Sequence, residues 1–367
     1  MFNNILSDKG IEQVLDKGLI KTDEDIKPEQ IQPASLDVRI GSVRIWDDEA
    51  KRKENEYFEK QIEKGNFDAE PGIKFCKYIK YKNGKIFDVP PNAHIEIRIL
   101  ENIKFNLKDI VAFYDLKSSR GRMSFSNYTV PKLDEDKEGY YISLMNQNPN
   151  PIRLYCGDKF AQLFFSLNNK KLINKIYHGH LIRNEKEYKK IKKFIEIQPK
   201  PIFKDGFLIL NTGEKLLRFK RDLGIIDTKK QYSDKELYQE TKLDKNYIQK
   251  IGESIIISSK ERIELSNKVG LQLLHHFPIT QKSTFTKINS ELALIQNDIL
   301  NAGWVDPGYC GKVTAHPYLY KNPKIIKKGD LLALGLIYFF PDGTKRSYGS
   351  KELNSHYQGS NGIGFKS

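Results

Sequence analysis

Six consecutive residues, Lys117-Ser118-Ser119-Arg120-Gly121-Arg122, gather three cations, two hydroxyls and a glycine just after the apolar stretch Ile110 to Tyr114. A turn of this composition can offer backbone N–H groups, hydroxyls and guanidinium forks to phosphate oxygens, because charge-assisted bonds to an anion are the strong ones. The GxxxxGK[ST] spacing of a P-loop is missing, so any phosphate cradle here is of another kind. An ordinary basic turn is the alternative.

A second constellation is Ala302-Gly303-Trp304-Val305-Asp306-Pro307-Gly308-Tyr309. Its Asp-Pro-Gly turn is a rigid corner between two aromatics, suited to holding the Asp306 carboxylate beside a stacked sugar or base. The run from Leu133 to Gly139 carries Asp134, Glu135, Asp136 and Glu138. Such a cluster can raise the pKa values of its members or take a divalent cation, or it can simply be solvated. The tail His356-Tyr357-Gln358-Gly359-Ser360-Asn361-Gly362 suits a mobile flap over a ligand, or a frayed terminus. His178-x-His180 and His275-His276 lack the neighbouring cysteines of zinc nucleobase deaminases, so they read as ordinary surface or core histidines.

The elements that must position these groups are mostly strands. Ser7-Asp8-Lys9-Gly10 followed by Ile11, Val14, Leu15 and Leu19 predicts a capped opening helix. From Ile31 onward, alternating runs such as Ser35 to Ile40 and His94 to Ile99 lie between Gly, Pro and Asn punctuation, as strands do. Two charged stretches interrupt them. Asp47 to Lys64 reads as a solvated insertion, and Glu185 to Lys193, leading into Gln198-Pro199-Lys200-Pro201, as a helix and linker.

An internal repeat divides the chain. Asp134, Gly139, Asn150-Pro151 and Gly157-Asp158 each have a counterpart 172 positions later, at Asp306, Gly311, Asn322-Pro323 and Gly329-Asp330. Lys282-Ser283-Thr284 is a weaker partner of Lys117-Ser118-Ser119, with a seven-residue difference in spacing. The expectation is a mainly β protein with a few short helices: one β domain over 1–170, a charged helical linker over 171–205, and a second β domain with a flap over 206–367.

Composition sets the class. The 367 residues carry 61 Lys plus Arg against 47 Asp plus Glu, a formal charge of +14 that favours anionic partners or simply keeps a Lys-rich surface soluble. Charged residues at 29% and hydrophobic ones at 39% exclude collagen-like, mucin-like and wholly disordered chains. Three cysteines, Cys76, Cys156 and Cys310, without CxxC spacing, point to a reducing cytoplasm and away from disulfides or structural zinc. Neither a signal pattern nor a run long enough to span a membrane is present, so a soluble, cytoplasmic protein is expected.

With these pieces placed, the sequence resembles the dCTP deaminase and dUTPase superfamily, in particular the long, duplicated form of 2'-deoxycytidine 5'-triphosphate deaminase. Ile5-Leu6-Ser7-Asp8 and Ile31 to Gly41 are similar to that family's first block, and Lys117 to Arg122 to its Arg-Ser-Ser-x-Gly-Arg block. Ala302 to Gly311 is similar to its Gly-Trp-Ile-Asp-Pro-Gly block, and Tyr357-Gln358-Gly359 to its flap.

The resemblance implies two tandem dUTPase-like distorted β-barrel domains, jelly-roll-like or β-clip, that form homo-oligomers around shared sites. It implies zinc-independent hydrolysis of the cyclic amidine C–N bond of dCTP, giving dUTP and ammonia, with Mg2+ carried by the triphosphate and no metal held by the protein. Ser118, Arg122, Asp306, His316 and Glu138 are then the catalytic candidates. Lys117, Ser119, Gly121, Asp134, Trp304, Tyr357 and Gln358 are the substrate-binding ones. The chain departs from the family where its catalytic Glu is expected, at His316 and, in the first copy, Leu144. The acid/base role therefore falls to His316 or Glu138. The flap departs too, with His356 and Ser360 in place of Lys and Gln. Because the first copy keeps the better Ser-Ser-x-Gly-Arg cradle and the second the better Asp-Pro-Gly corner, one chain can supply both parts of a composite site. The alternatives are a dUTP pyrophosphatase or bifunctional enzyme, and a catalytically silent nucleotide-binding protein. A nucleic-acid or membrane partner is not expected.

Overall fold

Ser7 starts the first helix as the spacing predicts: its side chain accepts the Gly10 N–H, and α1 runs over Asp8–Asp16 with Ile11 and Val14 buried. The computed structural model describes residues 3–66, 74–106, 109–127, 134–136, 139–244, 246–274, 299–300, 303–317, 324–350, 353 and 358–359.

Before α1 lies β1 (Asn4–Leu6). The strands that matter next are β2 (Leu36–Trp46), β3 (His94–Ile99), β4 (Ile110–Leu116), β5 (Gly139–Asn146) and β6 (Lys159–Leu167). Between β2 and β3 the charged insertion forms α2 (Asp48–Glu63), capped by Asp47, with Ala50 its one buried residue. Between β4 and β5, one helical turn, α3 (Ser118–Gly121), carries the Ser-Ser-Arg segment. After β6 come β7 (His178–Leu181), within the stretch expected to be a linker, and then α4 (Glu185–Ile191), capped by Asn184. The later half supplies β8 (Phe207–Phe219), β9 (Ile255–Leu265), β10 (Val269–Leu274), β11 (Trp304–Val305), β12 (Cys310–Pro317) and β13 (Leu331–Phe339).

The protein is mainly β, with two large antiparallel sheets among the described residues. The first runs β5-β3-β2-β6-β4, and in the second β12-β9-β8-β13 is followed by β10, which also pairs with β13. The two orders match element for element. So does a bulge: pairing slips at Phe160, between Lys159 and Ala161 opposite β2, and at Leu332, between Leu331 and Ala333 opposite β8. At the matching place in each sheet a buried Glu accepts a backbone N–H, Glu101 from Arg39 at 3.0 Å and Glu261 from Asn211 at 2.8 Å.

The halves share apolar cores. Leu217, Phe219, Ile226, Leu237, Tyr238 and Ile256 enter the core of the first half, while Phe113 and Phe164 enter that of the second. Phe113 and Phe164 stack at 5.0 Å between ring centroids. The chain start also crosses over, since β1 pairs with β7, which continues the second sheet beside β13. No helix among the described residues is long and apolar enough to cross a membrane.

Candidate active site

A cavity of about 400 Å³ opens where α3 of the first half faces the Asp-Pro-Gly corner of the second. Its lining includes Lys117, Ser118, Ser119, Gly121 and Arg122 on one side and Trp304, Asp306 and His316 on the other. Two segments nearly two hundred residues apart in sequence thus form one site.

Lys117 is the N-cap of α3, and after it Ser118 is exposed and Ser119 half-buried, both lining the cavity. Arg120 and Arg122 are buried, and the Arg122 carbonyl accepts the hydroxyl of Tyr238, a second-half residue. Lys117 Nζ lies 2.7 Å from Asp37 Oδ2, and Lys159 Nζ lies 3.6 Å from the same oxygen. Asp37 and Lys159 both line the cavity, so two ammonium groups meet one fully buried carboxylate there, and Arg122 lines the same space.

The opposite wall is braced from behind. Trp304 tilts against Phe164 at 5.1 Å and Tyr338 at 5.6 Å, and its Nε1–H donates to Asp306 Oδ1 at 3.0 Å. The indole therefore orients the carboxylate. Burial pushes the Asp306 pKa up to about 7; Lys117 and the Trp304 N–H act against that rise, and Asp37 adds to it. Pro307 accepts the Tyr348 N–H at 2.8 Å, and the residues just before Tyr348 are tied to α1: Asp8 accepts the N–H groups of Lys345 at 3.1 Å and Arg346 at 2.6 Å. The opening block and the corner are therefore one connected structure.

His316 is buried on β12, on the same face as cavity-lining Thr314, whereas Ala315 between them enters the core. Leu144, 172 positions earlier, is wholly buried in the core on β5. Gln358 accepts the Cys310 N–H at 3.1 Å and donates to the Gly308 carbonyl at 3.2 Å, so this residue of the tail sits on the corner. Asp134 pairs with Tyr141 at the edge of the first sheet. Glu138, Tyr357, His275, His276 and Lys282 to Thr284 lie outside the described residues. No group of three or more His, Cys, Asp or Glu with metal-binding geometry occurs among the described residues.

Asp37, Asp115, Lys159 and Gln162 also line the cavity and were not singled out from the sequence. Asp37 and Gln162 each sit between apolar neighbours on a strand, where alternation reads them as solvent-facing polar positions. The signal that bears on Asp115 is its place two residues ahead of Lys117-Ser118-Ser119.

The model of the family described as dCTP deaminase-like matches residues 5–167. A dCTP deaminase, dUMP-forming, from Methanobrevibacter smithii is 30% identical over 193 residues, 51% of this chain and 92% of that protein. The chain belongs to the dCTP deaminase-like family. Another relative within it, a dCTP deaminase, dUMP-forming, from Aquifex aeolicus, is 29% identical over 164 residues, covering 44% of this chain and 81% of that protein. The crystal structure of 2'-deoxycytidine 5'-triphosphate deaminase from Agrobacterium tumefaciens superposes with a TM-score of 0.66 at 17% identity, over 92% of this chain and 99% of that one, which establishes a shared fold.

Proposed function

We propose that this dCTP deaminase-like protein hydrolyses dCTP to dUTP and ammonia in the cavity between its two halves. One observation carries the reading: the cationic Lys117–Arg122 segment and the buried Asp306 corner line one cavity, as an anionic tail joined to a sugar and a base requires.

In this scheme Lys117, Ser119, the Gly121 backbone and Arg122 grip the triphosphate, with Mg2+ arriving on the nucleotide as its counter-ion. Asp306, held by Trp304, meets the deoxyribose hydroxyl, and a carboxyl group titrating near 7 can either donate or accept there. Ser118 orients the water that attacks C4 of cytosine, and His316 moves protons at that carbon. Asp134, Glu138 and Tyr357 stay candidates on the strength of the family resemblance, and Gln358 would hold the flap against the corner.

Matching strand order, a shared bulge and the 172-residue offset support two tandem domains from a duplicated ancestor, near 1–170 and 206–367 with the connecting stretch between. A homo-oligomer in the cytoplasm, with no nucleic-acid partner, completes the proposal. The test is incubation of the purified chain with dCTP and Mg2+, reading ammonia and nucleotide products; binding without ammonia release would refute it. A second reading, that hydrolysis runs on to dUMP and pyrophosphate, is favoured by relatives named dUMP-forming. The same chromatogram separates dUTP from dUMP.

A further inference from the structure

Asp115 is a cavity carboxylate to which the scheme above gives no work. It lies on β4, where alternate side chains face opposite sides of the sheet. Tyr114 and Leu116 enter the core of the first half, while Phe113 enters that of the second and Asp115 lines the cavity between them. A Cβ built on Gly303 would stand 3.4 Å from Asp115 Oδ2, so the carboxyl group reaches the segment that leads into Trp304 and Asp306. Among the described residues, the hydrogen bond to its carboxyl oxygens comes from the Leu116 N–H, at 2.8 Å to Oδ1. Burial pushes its pKa up to about 7, against the pull of that N–H, so a large share carries a proton at neutral pH. Lys117, Lys159 and Arg122 face the same space with Asp37, Asp306 and His316, and exposed Glu29 lies at its edge.

Adding water to C4 requires a base for the water proton and an acid for N3 in the same step. An imidazole that accepts the first proton has none to give N3 until addition is complete. On the deaminase reading, we propose that Asp115 is the acid that protonates N3 of the pyrimidine while His316 takes the proton from water. The water oxygen bonds to C4 as Asp115 gives its proton to N3, leaving a tetrahedral carbon bearing OH and NH2. The His316 proton then passes to the amino nitrogen, the C4–N bond breaks and ammonia leaves with that electron pair. The remaining hydroxyl proton returns to Asp115 as C4=O forms, so both side chains end as they began.

The experiment is Asp115→Asn in the full chain, with dCTP binding and single-turnover rates measured across pH. The expected result is a rate lower by about 100-fold or more, the usual scale of acid–base catalysis, with dCTP affinity within about threefold of wild type. Wild type should slow above about pH 7 as Asp115 loses its proton, and the variant should not. Asp115→Ser supplies the second arm, because added formate should restore its rate. An active wild type with an unimpaired Asp115→Asn overturns the acid role alone, as does parallel loss of binding and rate without formate rescue. A wild type that binds dCTP and releases no ammonia overturns the deaminase reading, and this role with it.

Discussion

Lys117 Nζ rests 2.7 Å from Asp37 Oδ2, joining the start of the Ser118–Gly121 turn to the start of β2. Asp37 is 1% exposed and Lys117 25%, so the pair fixes the ammonium at the cavity wall while leaving it room for an anion. Lys117→Met should therefore weaken dCTP binding by roughly 10- to 100-fold, the worth of one charge-assisted bond, and also lower stability, because it leaves the buried Asp37 carboxylate with the longer contact to Lys159. Titration calorimetry at two salt concentrations checks it; a loss under about threefold contradicts the phosphate role.

Asp8 lies far from Asp306 in sequence, yet it anchors the 345–346 backbone that leads to Tyr348 and the corner. Asp8→Ala leaves three N–H groups, those of Lys9, Lys345 and Arg346, without their acceptor at a buried position, a loss of about 1–3 kcal/mol in stability. Weaker nucleotide binding should accompany it. Urea unfolding and dCTP titration of the same variant measure both, and unchanged affinity would mean that the corner holds without this anchor.

Gly308 has φ +91°, and a Cβ there would come within 2.8 Å of Ser347 Cβ and 2.9 Å of Tyr348 N. Gly359 has φ +72° with nothing within 4 Å of such a carbon. Alanine at Gly359 should cost only the conformational strain of about 1–2 kcal/mol or less, while alanine at Gly308 should cost more and displace Asp306. Comparing the two denaturation midpoints separates strain from steric conflict.

The alternating runs Ser35 to Ile40 and His94 to Ile99 become β2 and β3, and Ser7 caps α1, because one-sided burial writes its period directly into a strand or helix. The cradle and the corner were legible as short clusters of special residue types. Asp115 and Asp37 were not, since a polar residue between apolar neighbours looks the same whether its face meets water or another half of the molecule. The insertion 47–64 was legible as solvated, but its helix rests on the Asp47 cap and pairs such as Lys53–Glu49 rather than on an apolar stripe.

Trp304→Phe keeps the ring against Phe164 and Tyr338 but removes the N–H that holds Asp306. That bond lowers the Asp306 pKa, so its loss should carry the value above about 7. The pH midpoint of dCTP binding should move to the alkaline side in this variant. A midpoint unchanged from wild type would mean that Asp306 does not govern binding.

The same carboxyl group makes stability depend on pH. Its pKa in the folded chain is about 7 against 3.8 for an unhindered Asp, because burial penalises the charged form. The folded state therefore binds the proton more tightly than the unfolded state. Its contribution is complete below about pH 4 and is lost as pH rises through about 7. Asp306→Asn cannot titrate, so it serves as the reference that removes every other ionisation common to both proteins. Wild type should gain stability relative to Asp306→Asn on going from pH 8 to pH 5, read as the difference between their urea midpoints. A difference that stays constant across that interval would place the titration elsewhere in the cavity.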